Sequence, residues 1–191
     1  MNAESRRNDG ARMIVGRFCE TPWRLTQTPY NLAFGFSSLF NTDFIVSIMP
    51  YRYLEEIGIA DIAFEATGRD LPELFRDATD ATTNVMIDNL EAIQPRETRR
   101  IELSNEKLDL LLFDLLQELI FLKDAERLLL RMRQVQIAER DETYFVEATA
   151  EGEPLDAERH HQRADVKAVT LHDFSVERTE SGWKARVLLD I

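Results

Sequence analysis

Two aspartates at the ends of predicted strands are the strongest candidates for a metal site in this 191-residue chain. Asp61 opens one alternating segment, and Asp190 closes another, directly before the terminal carboxylate of Ile191. If the two strands are neighbours, up to three carboxylate groups converge. Like charges so placed repel each other unless a cation or a proton intervenes, and an all-oxygen set suits calcium or magnesium, not zinc. The alternative interpretation is that both acids are solvated on an exposed sheet face.

The histidines offer weaker candidates for chemistry. His160 and His161 occupy a polar connection between strands, where a solvated loop is the simpler interpretation and a binding or catalytic loop the alternative. His172 and Asp173 are neighbours within or at the end of a strand, so alternation sends their side chains to opposite faces and argues against a catalytic pair. The sequence contains no phosphate-binding glycine loop and no nucleophile elbow, and nothing near Cys19 supports a thiolate.

The elements that position the first aspartate follow from hydrophobic periodicity. Residues 61–66 alternate between apolar and polar side chains, which predicts a half-buried strand. Asp70 with Glu73 three residues later forms a capping-box pattern, and Pro72 fits the first turn of a helix. We therefore expect a helix from this cap to about Met86.

A second helix should form the centre of the core. Residues 99–103 are a short strand candidate, and Ser104 or Asn105 is the expected cap of a helix that runs to about Leu122. Leucines recur along this helix at the spacing of a buried stripe. It carries further apolar residues on its other faces: Leu110, Phe113, Ile120 and Phe121.

The second aspartate belongs to the last of four strand-like segments. These segments lie at roughly 128–138, 144–151, 166–177 and 183–191. The turns between the first and second, and between the third and fourth, predict two hairpins. The whole order of elements predicts an α+β domain, with an antiparallel-rich sheet and two helices packed on it.

Residues 1–48 differ from the rest of the chain. They contain five arginines, no lysine and four acidic residues, and their apolar part has no helical or strand period. They also lack the patterns of a secretory signal or a transit peptide. We expect a poorly ordered extension, or a mis-start with Met49 as the initiator, before a domain that spans residues 49–191. A docked accessory segment is the alternative.

Composition limits the classes of partner. The net charge is −12, and a field of this sign repels a phosphate backbone, so strong direct binding of nucleic acid is disfavoured. The single cysteine indicates a reducing compartment, for which we expect the cytoplasm. No apolar stretch reaches the roughly 20 residues that span a bilayer, so we expect no membrane association.

The end of the chain, residues 165–176 and 182–191, resembles the C-terminal signature of the archease family. Further matching motifs follow in the family's order and approximate spacing: Tyr51–Leu54, Ile59–Ile62, Leu71–Phe75, the leucine-rich second helix, Gly152-Glu153 and His160. The resemblance therefore covers about residues 49–191.

The resemblance implies a fold of strand-helix-strand-strand type and a role without enzymatic activity of its own. Archeases are protein cofactors of the RtcB-type tRNA-splicing ligase, whose guanylylation and multiple turnover they promote. They bind a metal ion, calcium in family members, and the matching ligands here are Asp61, Asp190 and Ile191. The expected contacts with the ligase are His160, Lys167, His172 and Asp173.

One departure from the family pattern lies just before the first aspartate. The family's usual opening has a histidine and a small or hydroxyl residue, whereas this chain has Gly58 and Ile59. The change removes a polar side chain from beside the expected metal. Two other functions remain open from the residues: a metal-dependent phosphoester hydrolase, and a general chaperone or interaction module.

Overall fold

A computed structural model describes residues 50–54 and 61–191 of the chain. The predictions about residues 1–48, Cys19 and the Gly58-Ile59 opening lie outside these residues. The elements are β1 (Tyr51–Tyr53), β2 (Asp61–Gly68), α1 (Leu71–Met86), a 3₁₀ turn (Leu90–Ala92), β3 (Glu97–Asn105), α2 (Leu108–Glu126), β4 (Leu128–Arg140), β5 (Thr143–Pro154), β6 (Ala168–Thr179) and β7 (Gly182–Asp190). The predicted α+β class is confirmed.

The strands form two antiparallel sheets where the sequence predicted one. The first sheet has the order β1-β2-β7-β6, and the second has the order β3-β5-β4. Both predicted hairpins are present, as β4-β5 and β6-β7, but they belong to different sheets. Helix α1 contacts β2, β7 and β4, and α2 contacts β6 as well as all three strands of the second sheet. Because each helix contacts both sheets, two apolar sheet faces are covered instead of one.

The first helix starts as its sequence predicts. The Asp70 carboxylate accepts a hydrogen bond from the Glu73 backbone amide at 2.9 Å, which satisfies one of the free donors of the first turn. The Glu73 carboxylate accepts in turn from the backbone amide of Arg69 at 2.8 Å, one residue before the cap. This local chemistry places the start of α1 at Leu71 and explains the agreement with the predicted range.

The second helix starts later and ends later than expected. It begins at Leu108 after Lys107, whose side chain makes no capping hydrogen bond. Asn105 is not the cap, because its side chain is used elsewhere. The side-chain Oδ1 accepts from the Lys107 backbone amide at 3.1 Å, and the side-chain Nδ2 donates to the Asp114 carboxylate at 2.9 Å. The helix continues to Glu126, and no helix of the described residues has the length and apolar character needed to cross a membrane.

An ion-pair network joins α1 to β4. Arg131 of β4 donates from two nitrogens to the Asp80 carboxylate at 2.8 and 3.1 Å and from a third to Glu91 at 2.8 Å. One turn earlier, Asp77 is buried, and its contact with the Arg76 guanidinium measures 3.4 Å. Burial raises the pKa of Asp77 to about 6, and the positive charge of Arg76 opposes that rise.

Strand β6 departs from regular pairing in its middle. Its register against β7 shifts between Thr170, which faces Leu188, and Ser175, which faces Arg186. Residues 171–174 therefore lie opposite the single residue Val187. Such an excess of residues on one strand forms a bulge and redirects the side chains within it.

Candidate functional site

Asp61 and Asp190 lie directly opposite each other in the first sheet. Asp61 begins β2 and Asp190 ends β7, and their Cα atoms are register partners in the antiparallel pair. Residues paired in this way point to the same face, with Cβ atoms about 5 Å apart. The condition set by the sequence, that the two strands be neighbours, is met.

Asp190 has β6 on its other side. Ala168 is its register partner there, and the Lys167 backbone amide donates to the Asp190 carbonyl oxygen at 2.9 Å. Asp61, Asp190 and Ala168 thus form a row across three strands, which we call the aspartate row. Lys167, which precedes Ala168 in the chain, is exposed. Ile191, which follows Asp190, has a half-buried side chain.

The two carboxylates have no compensating charge within residues 50–54 and 61–191. Neither carboxylate forms an ion pair or a hydrogen bond there, although like charges opposite each other on a sheet are destabilising. In the same part of the chain, no group of three or more His, Cys, Asp and Glu side chains could hold a metal ion. A cation between Asp61 and Asp190 would therefore need main-chain or water oxygens as further ligands, which calcium and magnesium accept.

A third carboxylate on the same face shows the contrast. Glu65 lies two pairs along β2 from Asp61 on that face, opposite Arg186. Arg52 of β1 donates to the Glu65 carboxylate at 2.7 and 3.0 Å. These hydrogen bonds hold the pKa of Glu65 below its ordinary value, against the opposing effect of burial. The protein thus neutralises Glu65 with its own side chains.

His172 and Asp173 lie in the bulge of β6, and the expected separation of their side chains is wrong. Asp173 has a φ of 54°, a left-handed conformation that interrupts the alternation. The His172 Nε2 and Asp173 Oδ2 atoms are 3.9 Å apart, and Arg186 approaches the same oxygen at 3.8 Å. The distance of 3.9 Å is too long for a hydrogen bond, so the residues do not form a catalytic dyad. Both side chains are exposed.

His160 is buried, which corrects the expectation of a solvated loop at this position. Its ring is 1% exposed, whereas His161 is exposed. The backbone amide of Asp156 donates to His160 Nδ1 at 2.9 Å, so the proton of the neutral ring resides on Nε2. Nε2 lies 3.1 Å from Glu153 Oε1 and donates to it. His160 therefore fastens its loop to β5 and does not present its ring to a partner.

Glu153 is the charge at the centre of this buried cluster. Its carboxylate is fully buried and lies 2.6 Å from Arg159 Nη2 and 3.1 Å from Arg96 Nε, while the Gln94 backbone amide donates to it at 2.9 Å. Burial raises its pKa, but the hydrogen bonds from Arg159, the Gln94 amide and His160 outweigh that effect and lower the pKa to about 2. Sequence reasoning found only the Gly152-Glu153 motif here, because no local pattern pairs Glu153 with His160.

Most of the described residues match a known protein family. The sequence profile of the archease protein family matches residues 51–191. The chain belongs to the archease family. This membership confirms the resemblance drawn from the C-terminal motifs, and the match includes both members of the Asp61–Asp190 pair.

Individual archeases match over nearly their whole length. The archease of Methanothermobacter thermautotrophicus is 39% identical over 132 residues, which are 69% of this chain and 93% of that protein. The archease of Methanosarcina mazei is 37% identical over 142 residues, which are 74% of this chain and 95% of that protein.

The fold agrees with that of a solved relative. A solution structure of a Methanobacterium thermoautotrophicum protein superposes with a TM-score of 0.65 at 36% identity, covering 74% of this chain and 99% of that one. A crystal structure from Thermotoga maritima, described as an archease and possible chaperone, matches at a TM-score of 0.45 and 19% identity over 69% of this chain and 91% of that one.

Proposed function

We propose that this chain is a metal-binding protein cofactor that activates an RtcB-type, tRNA-splicing RNA ligase by promoting its guanylylation and multiple turnover. The observation that carries the proposal is the register pairing of Asp61 with Asp190 in a chain of the archease family. The family resemblance suggests the ligase as the partner. The pair of aspartates, which has no neutralising partner among the described residues, suggests where the metal would bind. On this proposal the chain performs no catalysis itself.

The residues that would hold calcium, or magnesium, are Asp61, Asp190 and the main-chain oxygens of Ile191. The chemistry of the donor set fits, because hard cations prefer carboxylate and carbonyl oxygens. When bound, the cation supplies concentrated positive charge where β2 begins and β7 ends. The hydrogen bond from the Lys167 amide to the Asp190 carbonyl holds the end of β7 against β6 and so positions Asp190.

The ligase contacts proposed from the resemblance divide by exposure. Lys167, His172 and Asp173 are exposed and remain in the proposal, with Lys167 beside the aspartate row. His160 leaves it, since its ring is buried against Glu153. The net charge of −12 favours a partner that carries the basic RNA-binding groove itself, because an acidic protein approaches such a surface as its complement. A cytoplasmic location stays a prediction.

The experiment is multiple-turnover RNA ligation by a purified RtcB-type ligase with GTP and calcium or magnesium. The full chain should raise the number of ligations per ligase, and Asp61→Asn and Asp190→Asn should each abolish most of the stimulation. Glu65→Gln is the matched control, because it removes a carboxylate from the same face that Arg52 already neutralises. Equal stimulation by all four proteins would refute the role of the metal, and no stimulation by the unaltered chain would refute the ligase role.

A chaperone is the second candidate, because the Thermotoga maritima archease is described as a possible chaperone. Suppression of the aggregation of unrelated, thermally unfolding proteins, without ligase stimulation, would favour it. The hydrolase gains no support from His172 and Asp173, whose side chains are too far apart to act as a dyad. Turnover of phosphoester substrates by the isolated chain would be the evidence for a hydrolase function.

A further inference from the structure

Helix α2 has a second, largely apolar side that the residues described by the structure cover only in part. Its buried side consists of leucines and one isoleucine: Leu111, Leu112, Leu115, Leu116, Leu119, Ile120 and Leu122. On the opposite side, Leu110, Phe113, Gln117 and Phe121 follow one another at spacings of three and four residues, and we call this side the α2 outer face. Phe121 is 58% exposed, although a helix that is apolar all round is normally buried on all sides.

Acidic residues frame this apolar face. Asp114 and Glu118 flank it as half-buried residues, and the Asp124 side chain is 55% exposed near its end. The one cation of α2, Lys123, has a 10% exposed side chain; its Nζ lies 2.6 Å from Asp124 Oδ1 and donates to Asp165 at 2.7 Å and to the Val166 carbonyl at 2.9 Å. Asp114 and Glu118 form no ion pair among the described residues, so these two acids carry the negative charge beside the face. The helix therefore contributes negative charge and no free cation to the α2 outer face.

The α2 outer face adjoins the aspartate row through β6. Gln117 accepts a hydrogen bond from the Val169 backbone amide at 2.8 Å, and the Phe113 ring meets Phe174 edge to face at 5.6 Å. Val169 directly follows Ala168, the register partner of Asp190. The two surfaces are thus separated by the single edge strand β6, with Val169 on the face opposite to Ala168, so a partner that contacts both must pass around the edge of β6.

We infer that the α2 outer face is a second docking surface for the ligase, and that it takes an amphipathic segment with leucine or phenylalanine side chains between lysines or arginines. This inference rests on the proposed function. Exposed phenylalanine supplies the apolar anchor and the surrounding carboxylates select basic neighbours. A second copy of this chain would bring like charge against like charge, and RNA or an anionic membrane would meet the same repulsion.

The test measures the affinity of the full chain for a purified RtcB-type ligase by calorimetry at low and moderate salt. Phe121→Ser should raise Kd about tenfold, as loss of an aromatic anchor does. Glu118→Lys should raise Kd severalfold, with a larger effect at low salt, where screening is weaker. The matched controls are Phe145→Ser and Glu139→Lys, an exposed phenylalanine and an exposed acid on the second sheet, which should keep Kd within about twofold.

Calcium uptake and circular dichroism accompany each variant. All four variants should bind calcium as the unaltered chain does, since none lies in the aspartate row. The same Kd for Phe121→Ser, Glu118→Lys and the unaltered chain would overturn this surface and leave the proposed function standing. No binding by the unaltered chain would overturn both, and a homodimer that Phe121→Ser dissociates would replace the ligase with a second copy as the occupant.

Discussion

At the scale of single residues, the most informative polar side chains are those that the chain satisfies itself and those that it does not. Glu153 is buried with two guanidinium groups, a backbone amide and His160 around it, and Glu65 is bound by Arg52. Asp61 and Asp190 face each other without such partners among the residues that the structure describes. Charges that lie beside an opposite charge act in stability, and we propose that the uncompensated pair acts in function.

Glu153 should stabilise the fold in a manner that depends on pH. Its pKa falls from 4.5 to about 2 on folding, so the stabilisation is fully present above about pH 4.5 and is lost as the pH falls towards 2. A shift of this size corresponds to about 3 kcal/mol. Glu153→Gln should therefore lower the free energy of unfolding by about this amount at pH 7 and by about half as much at pH 3, as measured by urea denaturation.

The control for this prediction is Glu151→Gln on the same strand. Glu151 forms an exposed ion pair with Arg133, so its loss should cost less than about 1 kcal/mol. A stability gap between Glu153→Gln and the unaltered chain that stayed constant from pH 7 to pH 3 would show that the carboxylate charge is not the source of the stabilisation.

The buried pair of Glu153 and His160 marks a limit of prediction from sequence. The two residues are seven positions apart in a polar connection, and a loop has no period from which burial could be read. Alternation alone does not predict that Asp61 and Asp190 lie opposite each other. Periodicity gives the face on which a residue lies and not its neighbour on the next strand.

At the scale of elements, the sequence predicted features that depend on neighbouring residues, such as a helix cap. It did not predict which elements pack on one another. The cap at Asp70 fixed the start of α1, since its hydrogen bonds join residues three apart. The start of α2 was missed because Asn105 uses its side chain on Asp114 and Lys107 instead of on a helix cap. The division into two sheets was also missed, since the sequence shows that a face is buried but not which element covers it.

The buried Asp77 of α1 leads to a second prediction. The pKa of Asp77 rises from 3.8 to about 6 on folding, so its charge destabilises the fold above pH 6, and that cost disappears as the pH falls below about 4. Asp77→Asn should raise the free energy of unfolding by about 3 kcal/mol at pH 7.5 and leave it unchanged at pH 3.5. Chemical denaturation at the two pH values measures both.

Asp80→Asn is the opposite case on the same helix. Asp80 holds Arg131 with two hydrogen bonds, so its loss leaves a half-buried guanidinium with Glu91 alone and should cost about 2 to 3 kcal/mol at pH 7.5. If Asp77→Asn destabilised the protein as much as Asp80→Asn, the buried carboxylate would be a structural partner and not an uncompensated charge.

At the scale of the whole molecule, family, charge and surface support the proposal that the protein acts through a partner. Residues 51–191 carry the archease match, and the prediction that residues 1–48 add little to the core stays a prediction. The described residues place the aspartate row at the start of β2, the end of β7 and the start of β6, and the α2 outer face beside β6. Both surfaces are acidic, which suits a basic partner.

The metal-dependent role requires that Asp61 and Asp190 share a cation, and calorimetric titration of the full chain with calcium measures this. We expect saturable uptake of about one calcium per chain, retained in Glu65→Gln and weakened at least tenfold in Asp61→Asn and in Asp190→Asn, because each removes a charged oxygen ligand. Calcium should also raise the melting temperature of the unaltered chain by binding its folded state. Absence of saturable uptake of calcium or magnesium by the unaltered chain, or equal affinity in all four proteins, would contradict the account.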